Sequence, residues 1–372
     1  MRFLAVRHSV MVLILLTVAV GAKAQFSSFK ENSITKYLRK SGTRSLVIAV
    51  IKDTARTIKF YGKINKTGAK NTVPDGNTVF EIGSITKIFT TFLLADLVSK
   101  DSISLNDSVV DFLPSNKNYS ERLKKISLLN LATHTSGLPR VTALSLGNSF
   151  TFIDAIFNSF NPYRNYDEKK LLIDMRNPHF ASIPGDSYKY SNLGLGLLGY
   201  ALTRAAKKNY DIMLRENIFE PLMMKNTSIR SQDIIKDHLA IGHNSIGIRM
   251  PRWTFQDGMQ AAGCINSCAN DLLNFLEINL VDNNSHIREM LVLCQKTYFK
   301  VDDNLEIGLG WHKSSRKDRD YSMIYHNGRT GGFSSFLGFN RESKTGVIVL
   351  SNCSRNVDSI GLDILDQLIH GN

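Results

Sequence analysis

Strand-like runs gather at the two ends of this 372-residue chain and leave its middle to helices, a distribution that restricts the fold more than any other feature. Leu46 to Lys52 and Thr57 to Lys63 are rich in β-branched and aromatic residues, and the polar residues between them suit a hairpin. Tyr321 to Tyr325, Ser334 to Phe339 and Gly346 to Leu350 repeat the pattern near the C-terminus. Amphipathic helical runs flank the two groups, Phe29 to Lys40 before the first and Val357 to Ile369 after the last. Between them the apolar spacing is helical at Ser84 to Val98, Ile126 to Ala132, Asn192 to Lys207 and Asn270 to Leu280, joined by long polar connections such as Gly147 to Asn177. The expected class is α+β. One antiparallel sheet is assembled from both chain ends and flanked by helices, with an all-helical subdomain, roughly residues 100–300, inserted between them. No repeat, low-complexity tract or Pro/Gly linker divides the chain further.

The first 24 residues stand outside that scheme. Arg2 and Arg7 precede the apolar run Val10 to Val20, which ends in Ala22-Lys23-Ala24. A basic start, a short apolar stretch and an A-x-A site predict a signal peptide over 1–24, cut before Gln25, and a single domain over 25–372. The apolar run is short for a bilayer span and no cysteine follows the small residues, so the expectation is a periplasmic or secreted protein without a stable membrane span. The formal net charge is +13, and Arg2, Arg7 and Lys23 of the leader carry three of those positives. The rest is scattered, with no dense basic block or basic-aromatic interleaving, which argues for a solvated surface and against a nucleic-acid partner. Cys264, Cys268, Cys294 and Cys353 are too few for a disulfide scaffold and form no C-x-x-C pattern, so they are expected as buried small apolar side chains.

Chemistry enters at Phe80-Glu81-Ile82-Gly83-Ser84-Ile85-Thr86-Lys87. Ser84 stands at the head of a helical run and Lys87 lies three residues on, which puts their Cβ atoms about 5–6 Å apart on one face. A buried amine there can take the serine proton, although serine is equally a common helix cap. Tyr190-Ser191-Asn192 follows a turn at Pro184-Gly185 and opens another helix. A tyrosine near a lysine ammonium has its phenolate stabilised and can act as a base, while the Asn192 amide can donate to a substrate carbonyl and accept from the lysine. Tyr325-His326-Asn327-Gly328-Arg329-Thr330-Gly331-Gly332-Phe333 reads as a glycine-rich segment between two strands, where backbone can approach a ligand and His326 and Arg329 can orient a carboxylate. Any one of the three has an ordinary structural explanation; their order is what makes chance a poor one.

An S-x-x-K, a Y-x-N and an H-x-G in this order resemble the serine β-lactamase and penicillin-binding-protein superfamily, in its branch of class C β-lactamases and D-alanyl-D-alanine carboxypeptidases. Further phrases carry the likeness along the chain: Ser104-Leu105-Asn106-Asp107, His134-Thr135-Ser136-Gly137-Leu138-Pro139, Ile218-Phe219-Glu220-Pro221-Leu222 and Gly308-Leu309-Gly310-Trp311. The resemblance implies a β-lactamase/transpeptidase-like fold and a serine hydrolase that needs no cofactor or metal. It implies that Ser84 is acylated, Lys87 accepts its proton, Tyr190 relays protons, and Asn192 with His326, Asn327, Gly328, Arg329 and Gly331 holds the substrate. The oxyanion would be met by the N–H of Ser84 and one from just after the third motif, at Gly331 or Gly332. A D-alanyl-peptide amide hydrolase acting on peptidoglycan-like fragments is the expected activity. The alternatives are a carboxylesterase or weak class C-like β-lactamase, and a penicillin-binding sensor that does not turn over.

The family's third motif carries lysine and threonine where this chain has His326 and Asn327, which weakens the grip on a β-lactam carboxylate. An imidazole there is expected to make acylation fall as His326 loses its proton, between about pH 5 and 8. Two further patterns are expected to be structural. Gly194-Leu195-Gly196-Leu197-Leu198-Gly199 matches a nucleotide-binding G-x-G-x-x-G but has no strand before it and suits a close-packed helix face. His134 beside Ser136 suggests a catalytic pair, yet in the resembled family that phrase is structural.

Overall fold

A computed structural model describes residues 31–39, 45–66, 69–142, 161–234, 238–281, 285–315 and 321–370, so the expected leader lies outside the described residues. Strands Ser45–Lys52 (β1) and Ala55–Gly62 (β2) come from one end of the chain. Phe299–Lys300 (β3), Leu305–Ile307 (β4), His312–Ser315 (β5), Ser322–Arg329 (β6), Ser334–Asn340 (β7) and Thr345–Ser351 (β8) come from the other. They pair in the order β2-β1-β8-β7-β6-β5-β4-β3, antiparallel throughout. The two chain ends meet where Val47 faces Leu350 and Ile48 faces Val349.

The inner strands are apolar without alternation because both sheet faces are covered. Leu46, Ile48 and Val50 point to one side, where Glu31–Arg39 (α1) and Asp358–His370 (α6) pack with Phe336, Val347 and Val349. Val47, Ala49 and Ile51 point to the other, into a larger core with Leu337, Ile348 and Leu350. That core is shared with Thr86–Ser99 (α2), Asn192–Ala206 (α3), Ala269–Leu280 (α4) and His286–Gln295 (α5). Helix α2 is buried on nearly every side, and its apolar residues therefore run all the way round.

Among the described residues the segment between the sheet-forming ends is helical apart from two-residue strands, Phe80–Glu81 with Asn266–Ser267 and Gly242–His243 with Arg249–Met250, and a short pair of Ile64–Lys66 with Ala69–Thr72. These small pairings matter because the first of them delivers the chain to Ser84. Among the described residues no helix is long and apolar enough to cross a membrane. All four cysteines are buried and free, as small apolar side chains would be. The G-x-G-x-x-G pattern lies inside α3, where a Cβ on Gly196 would stand 2.4 Å from the Gly258 carbonyl and one on Gly199 2.3 Å from the Ala261 methyl. It is a close-packed helix face.

Candidate active site

The third motif belongs to a strand rather than to a loop. Strand β6 runs through Arg329, and only Gly331 and Gly332 turn the chain, between Thr330 N–H and the Phe333 carbonyl 3.0 Å away. The glycine at 328 suggested a loop but marks a contact, since a Cβ there would lie 1.9 Å from the Ile82 carbonyl oxygen. Strand β5 pairs with β6 only as far as Tyr325, which leaves residues 326–329 an open edge. The turn that carries Ser84 docks on this edge. Ser335 Oγ donates to the Ile82 carbonyl at 2.8 Å. Gly83, at φ +51°, lies so close that a Cβ would be 2.8 Å from the Arg329 nitrogen.

Ser84 is not a helix cap. It sits in the 3-10 turn Gly83–Ile85, one turn before α2, and no side chain caps that helix. Its Oγ is instead 3.0 Å from Lys87 Nζ. Lys87 is wholly buried and donates a second bond, 2.5 Å, to the Ala262 carbonyl. The segment that holds this carbonyl is fastened to α2: Ile265 N–H donates to Thr86 Oγ1 at 3.1 Å, and Thr90 Oγ1 donates to the Ala261 carbonyl at 2.8 Å. Burial, helped by the nearby Arg140 charge, pulls the Lys87 amine well below the ordinary lysine range.

The Tyr190 phenol shares the cleft with Ser84, which acts on its pKa, and its ring centroid lies 5.1 Å from Lys87 Nζ. Burial raises the phenol above its ordinary value, against the smaller opposing effects of Ser84 and Arg140. The expected lysine ammonium with a tyrosine phenolate is therefore corrected. Desolvation disfavours both charged forms, which favours a neutral amine beside a neutral phenol over the charged pair.

Ser191, not Asn192, caps α3, its Oγ accepting from Gly194 N–H at 2.8 Å. Asn192 Nδ2 donates to the Tyr163 hydroxyl at 2.6 Å, and its Oδ1 is buried without a partner. The expected bond from Lys87 to Asn192 is not made, because Lys87 spends its reach on Ser84 and Ala262. His134 accepts from Ser191 N–H at 3.2 Å through Nδ1, while Ser136 Oγ accepts from Leu138 N–H, so the two form no catalytic pair.

His326 lies close to the site and does not face the cleft. It is fully buried, its ring centroid 6.4 Å from that of Tyr190 and 5.0 Å from that of His312. Its Nδ1 is 2.6 Å from the Asn327 carbonyl, which can only accept, so the proton resides on Nδ1 and Nε2 is a bare acceptor. Burial first, then the His312 and Lys87 neighbours, hold its pKa well below the ordinary histidine range. Burial and Lys87 likewise take His312 down to about 4. His326 therefore neither grips a carboxylate nor titrates across neutrality, and the expected loss of activity as it deprotonates is corrected. The acid limb of kcat/KM is expected from Lys87, whose amine would stop accepting protons as the pH falls through its lowered pKa. In His326→Gln that limb is expected to stay within about half a unit of the wild-type position. A pH profile in which the substitution removes the limb would return the titration to His326.

The second oxyanion donor also differs from expectation. The Thr330–Phe333 turn sets the phase of the β6–β7 ladder, so Gly328 and Ser335 are a hydrogen-bonded pair and Arg329 and Ser334 are not. The Arg329 N–H thus points away from β7, to the open edge beside Gly83 and Ser84. Gly331 packs under Trp253 and Gly332 against Gly242, so neither faces the serine. The Arg329 side chain is exposed, while Asn327 Nδ2 donates to Asp358 Oδ2 at 2.6 Å.

Ser84 opens into a cleft of about 540 Å³. Much of its wall was not foreseen: Arg140, Tyr163, Trp253, Phe255 and Asp358. A larger surface cleft of about 1100 Å³ lies elsewhere, among exposed ion pairs such as Arg204–Glu168 and Lys208–Glu216, and is lined by no serine, cysteine or histidine among the described residues. The chemistry resides in the smaller one.

Known proteins resemble this chain in sequence and in fold. A family model described as Beta-lactamase matches residues 31–370. A protein named Beta-lactamase from Yersinia enterocolitica is 25% identical over 364 residues, covering 88% of this chain and 87% of its own. Protein flp of Staphylococcus aureus (strain MW2) is 26% identical over 286 residues and 74% of this chain, which spans about half, 53%, of that longer relative. The solved structure titled Beta-lactamase/D-alanine Carboxypeptidase from Yersinia pestis superposes with a TM-score of 0.73 at 25% identity, covering 90% of this chain and 95% of the other.

Proposed function

Since the chain belongs to the beta-lactamase family, we propose that it is an exported serine hydrolase that forms an acyl-enzyme on Ser84 and cleaves amides of the D-alanyl-peptide class. The observation that carries this reading is the convergence of the Ser84 hydroxyl, the buried Lys87 amine and the Tyr190 phenol on one cleft.

The neutral Lys87 amine accepts the Ser84 proton as Oγ attacks the substrate carbonyl, and the ammonium so formed keeps its bond to the Ala262 carbonyl. The N–H groups of Ser84 and Arg329 receive the oxyanion. Collapse of the tetrahedral adduct breaks the bond to the leaving amine, which takes a proton from the Tyr190 hydroxyl while Lys87 returns one to the phenol. Water then attacks the ester, its proton leaves along the same path, and Ser84 is regenerated. No charge has to be stored between turnovers, which suits a dry site.

Leaving-group protonation gives a discriminating prediction. An amine must be protonated to leave, whereas p-nitrophenolate leaves unaided. Tyr190→Phe is expected to lower kcat/KM on a D-alanyl-D-alanine peptide by about 10²–10⁴-fold and the acylation burst with p-nitrophenyl acetate far less. Equal losses on both substrates would take the proton-relay role from Tyr190.

One observation favours an esterase or weak β-lactamase as the second reading: His326 is buried and Asn327 is engaged by Asp358, so neither reaches a leaving-group carboxylate. Side-by-side assays with the peptide, p-nitrophenyl acetate and nitrocefin separate the two. Peptide turnover above the ester on kcat/KM supports the first reading, and ester-only turnover supports the second.

A further inference from the structure

The two ends of the cleft about Ser84 differ in how their charges are balanced. At one end Arg329 acts on Asp358, whose Oδ2 also accepts from Asn327 Nδ2 at 2.6 Å and Asn356 Nδ2 at 2.9 Å. Cation and anion there answer one another. At the Asn192 end Arg140 has no such partner: among the described residues no carboxylate or carbonyl accepts a bond from its guanidinium. That group lies instead over the Tyr190 ring, 5.2 Å from the centroid. Arg140 is held in place by its own carbonyl, which accepts from the N–H groups of Asn192 and Leu193 at 3.2 and 3.3 Å. By contrast Arg252, which is largely withdrawn from solvent where Arg140 is exposed, has Glu81 at 4.0 Å and the Ala240 carbonyl at 2.9 Å.

The surroundings of Arg140 are those of a binding site. Tyr163 and Phe255 stack with centroids 5.1 Å apart and Trp253 stands edge-on to Tyr163 at 5.6 Å, giving a rigid aromatic wall. Two polar atoms in this wall, Trp253 Nε1 and Asn192 Oδ1, are buried and unpartnered. The exposed Arg140 guanidinium on the cleft wall, with its charge acting on the Lys87 amine, disfavours any further positive charge there and favours an anion. A single planar fork suits a carboxylate better than a phosphate dianion.

Building on the acyl-transfer reading of the cleft, we propose that Arg140 receives a carboxylate carried by the acyl half of the substrate, so that the enzyme prefers acyl groups with a free acid over neutral ones. The aromatic wall packs the chain that joins this acid to the scissile carbonyl. The unpartnered Asn192 Oδ1 is left to accept an N–H of the acyl chain.

The test compares p-nitrophenyl hydrogen glutarate with its neutral methyl glutarate counterpart in the wild type, Arg140→Gln and Arg140→Lys. The wild type is expected to favour the anionic ester by about tenfold or more in kcat/KM at low salt, with the preference shrinking as salt is added. Arg140→Gln brings the ratio near unity and Arg140→Lys keeps part of it. Taking the ratio cancels any change that the substitution makes to Lys87. No preference in the wild type, or one that survives Arg140→Gln, overturns the proposal. Should neither ester be turned over, the hydrolase reading fails by itself, and calorimetric titration with glutarate and glutaramide decides the anion site. Glutarate binding that is tighter than glutaramide binding and is lost in Arg140→Gln sustains it; equal or absent binding refutes it.

Discussion

Lys87→Met is expected to lower kcat/KM on every substrate by about 10³-fold or more, with the fold intact. Methionine fills nearly the same buried volume and removes only the amine, so packing between α2 and the Ala261–Ala262 segment is preserved. The loss follows from what surrounds Ser84. Within reach of its Oγ are Lys87 Nζ at 3.0 Å and the Tyr190 hydroxyl, and burial keeps that phenol from ionising. His326, His312 and His134 are all held neutral by burial, but none makes a hydrogen bond to the serine. Unlike Tyr190→Phe, this change is expected to remove the acylation burst with activated esters too, because proton removal from Ser84 precedes every leaving group. Stopped-flow measurement of the p-nitrophenolate burst checks it, and a burst that persists at more than about a tenth of the wild-type rate would hand the proton to another acceptor.

Gly328→Ala is expected to cost both activity and stability. The new methyl would stand 1.9 Å from the Ile82 carbonyl and 2.5 Å from Ser335 Oγ, and the first of these is backbone that cannot rotate away. Strand β6 and the Ser84 turn must separate, at about 1–3 kcal/mol for overpacking. The separation carries Arg329 N–H away from the position of the oxyanion, a loss of about 10²–10³ in kcat. Thermal melting and steady-state kinetics on one preparation read both effects. A normal kcat in a destabilised protein would place the second donor elsewhere than Arg329.

The grouping of Ser84 with Lys87 and of Tyr190 with Asn192 was legible because its signal is local. Ser84 and Lys87 are one helical turn apart, and Tyr190 and Asn192 frame the start of α3, so spacing alone puts each pair together. The sheet was legible for a similar reason, since strands buried on both faces leave unbroken apolar runs at 46–51 and 346–350. What escaped were approaches between distant segments. Nothing in Gly331-Gly332 or Arg329 says which N–H faces the serine; that depends on the phase of the β6–β7 ladder and on a turn at Gly83, 246 positions before Arg329. The inward direction of His326 is a matter of strand alternation, hidden because Gly328 reads as a loop. Arg140, Tyr163, Trp253 and Phe255 lie on or beside connections without periodicity, and the Ala262 carbonyl carries no side-chain signal at all.

The central claim is that the Ser84 oxygen, deprotonated by a neutral Lys87 amine, becomes covalently bonded to the acyl group. Intact-protein and peptide mass spectrometry after brief incubation with a p-nitrophenyl ester and acid quench tests it most directly. The account predicts one acyl group on the peptide that contains Ser84 in the wild type and none in Ser84→Ala. An unmodified wild-type protein that still releases p-nitrophenolate, or an acyl group that persists in Ser84→Ala, would contradict it.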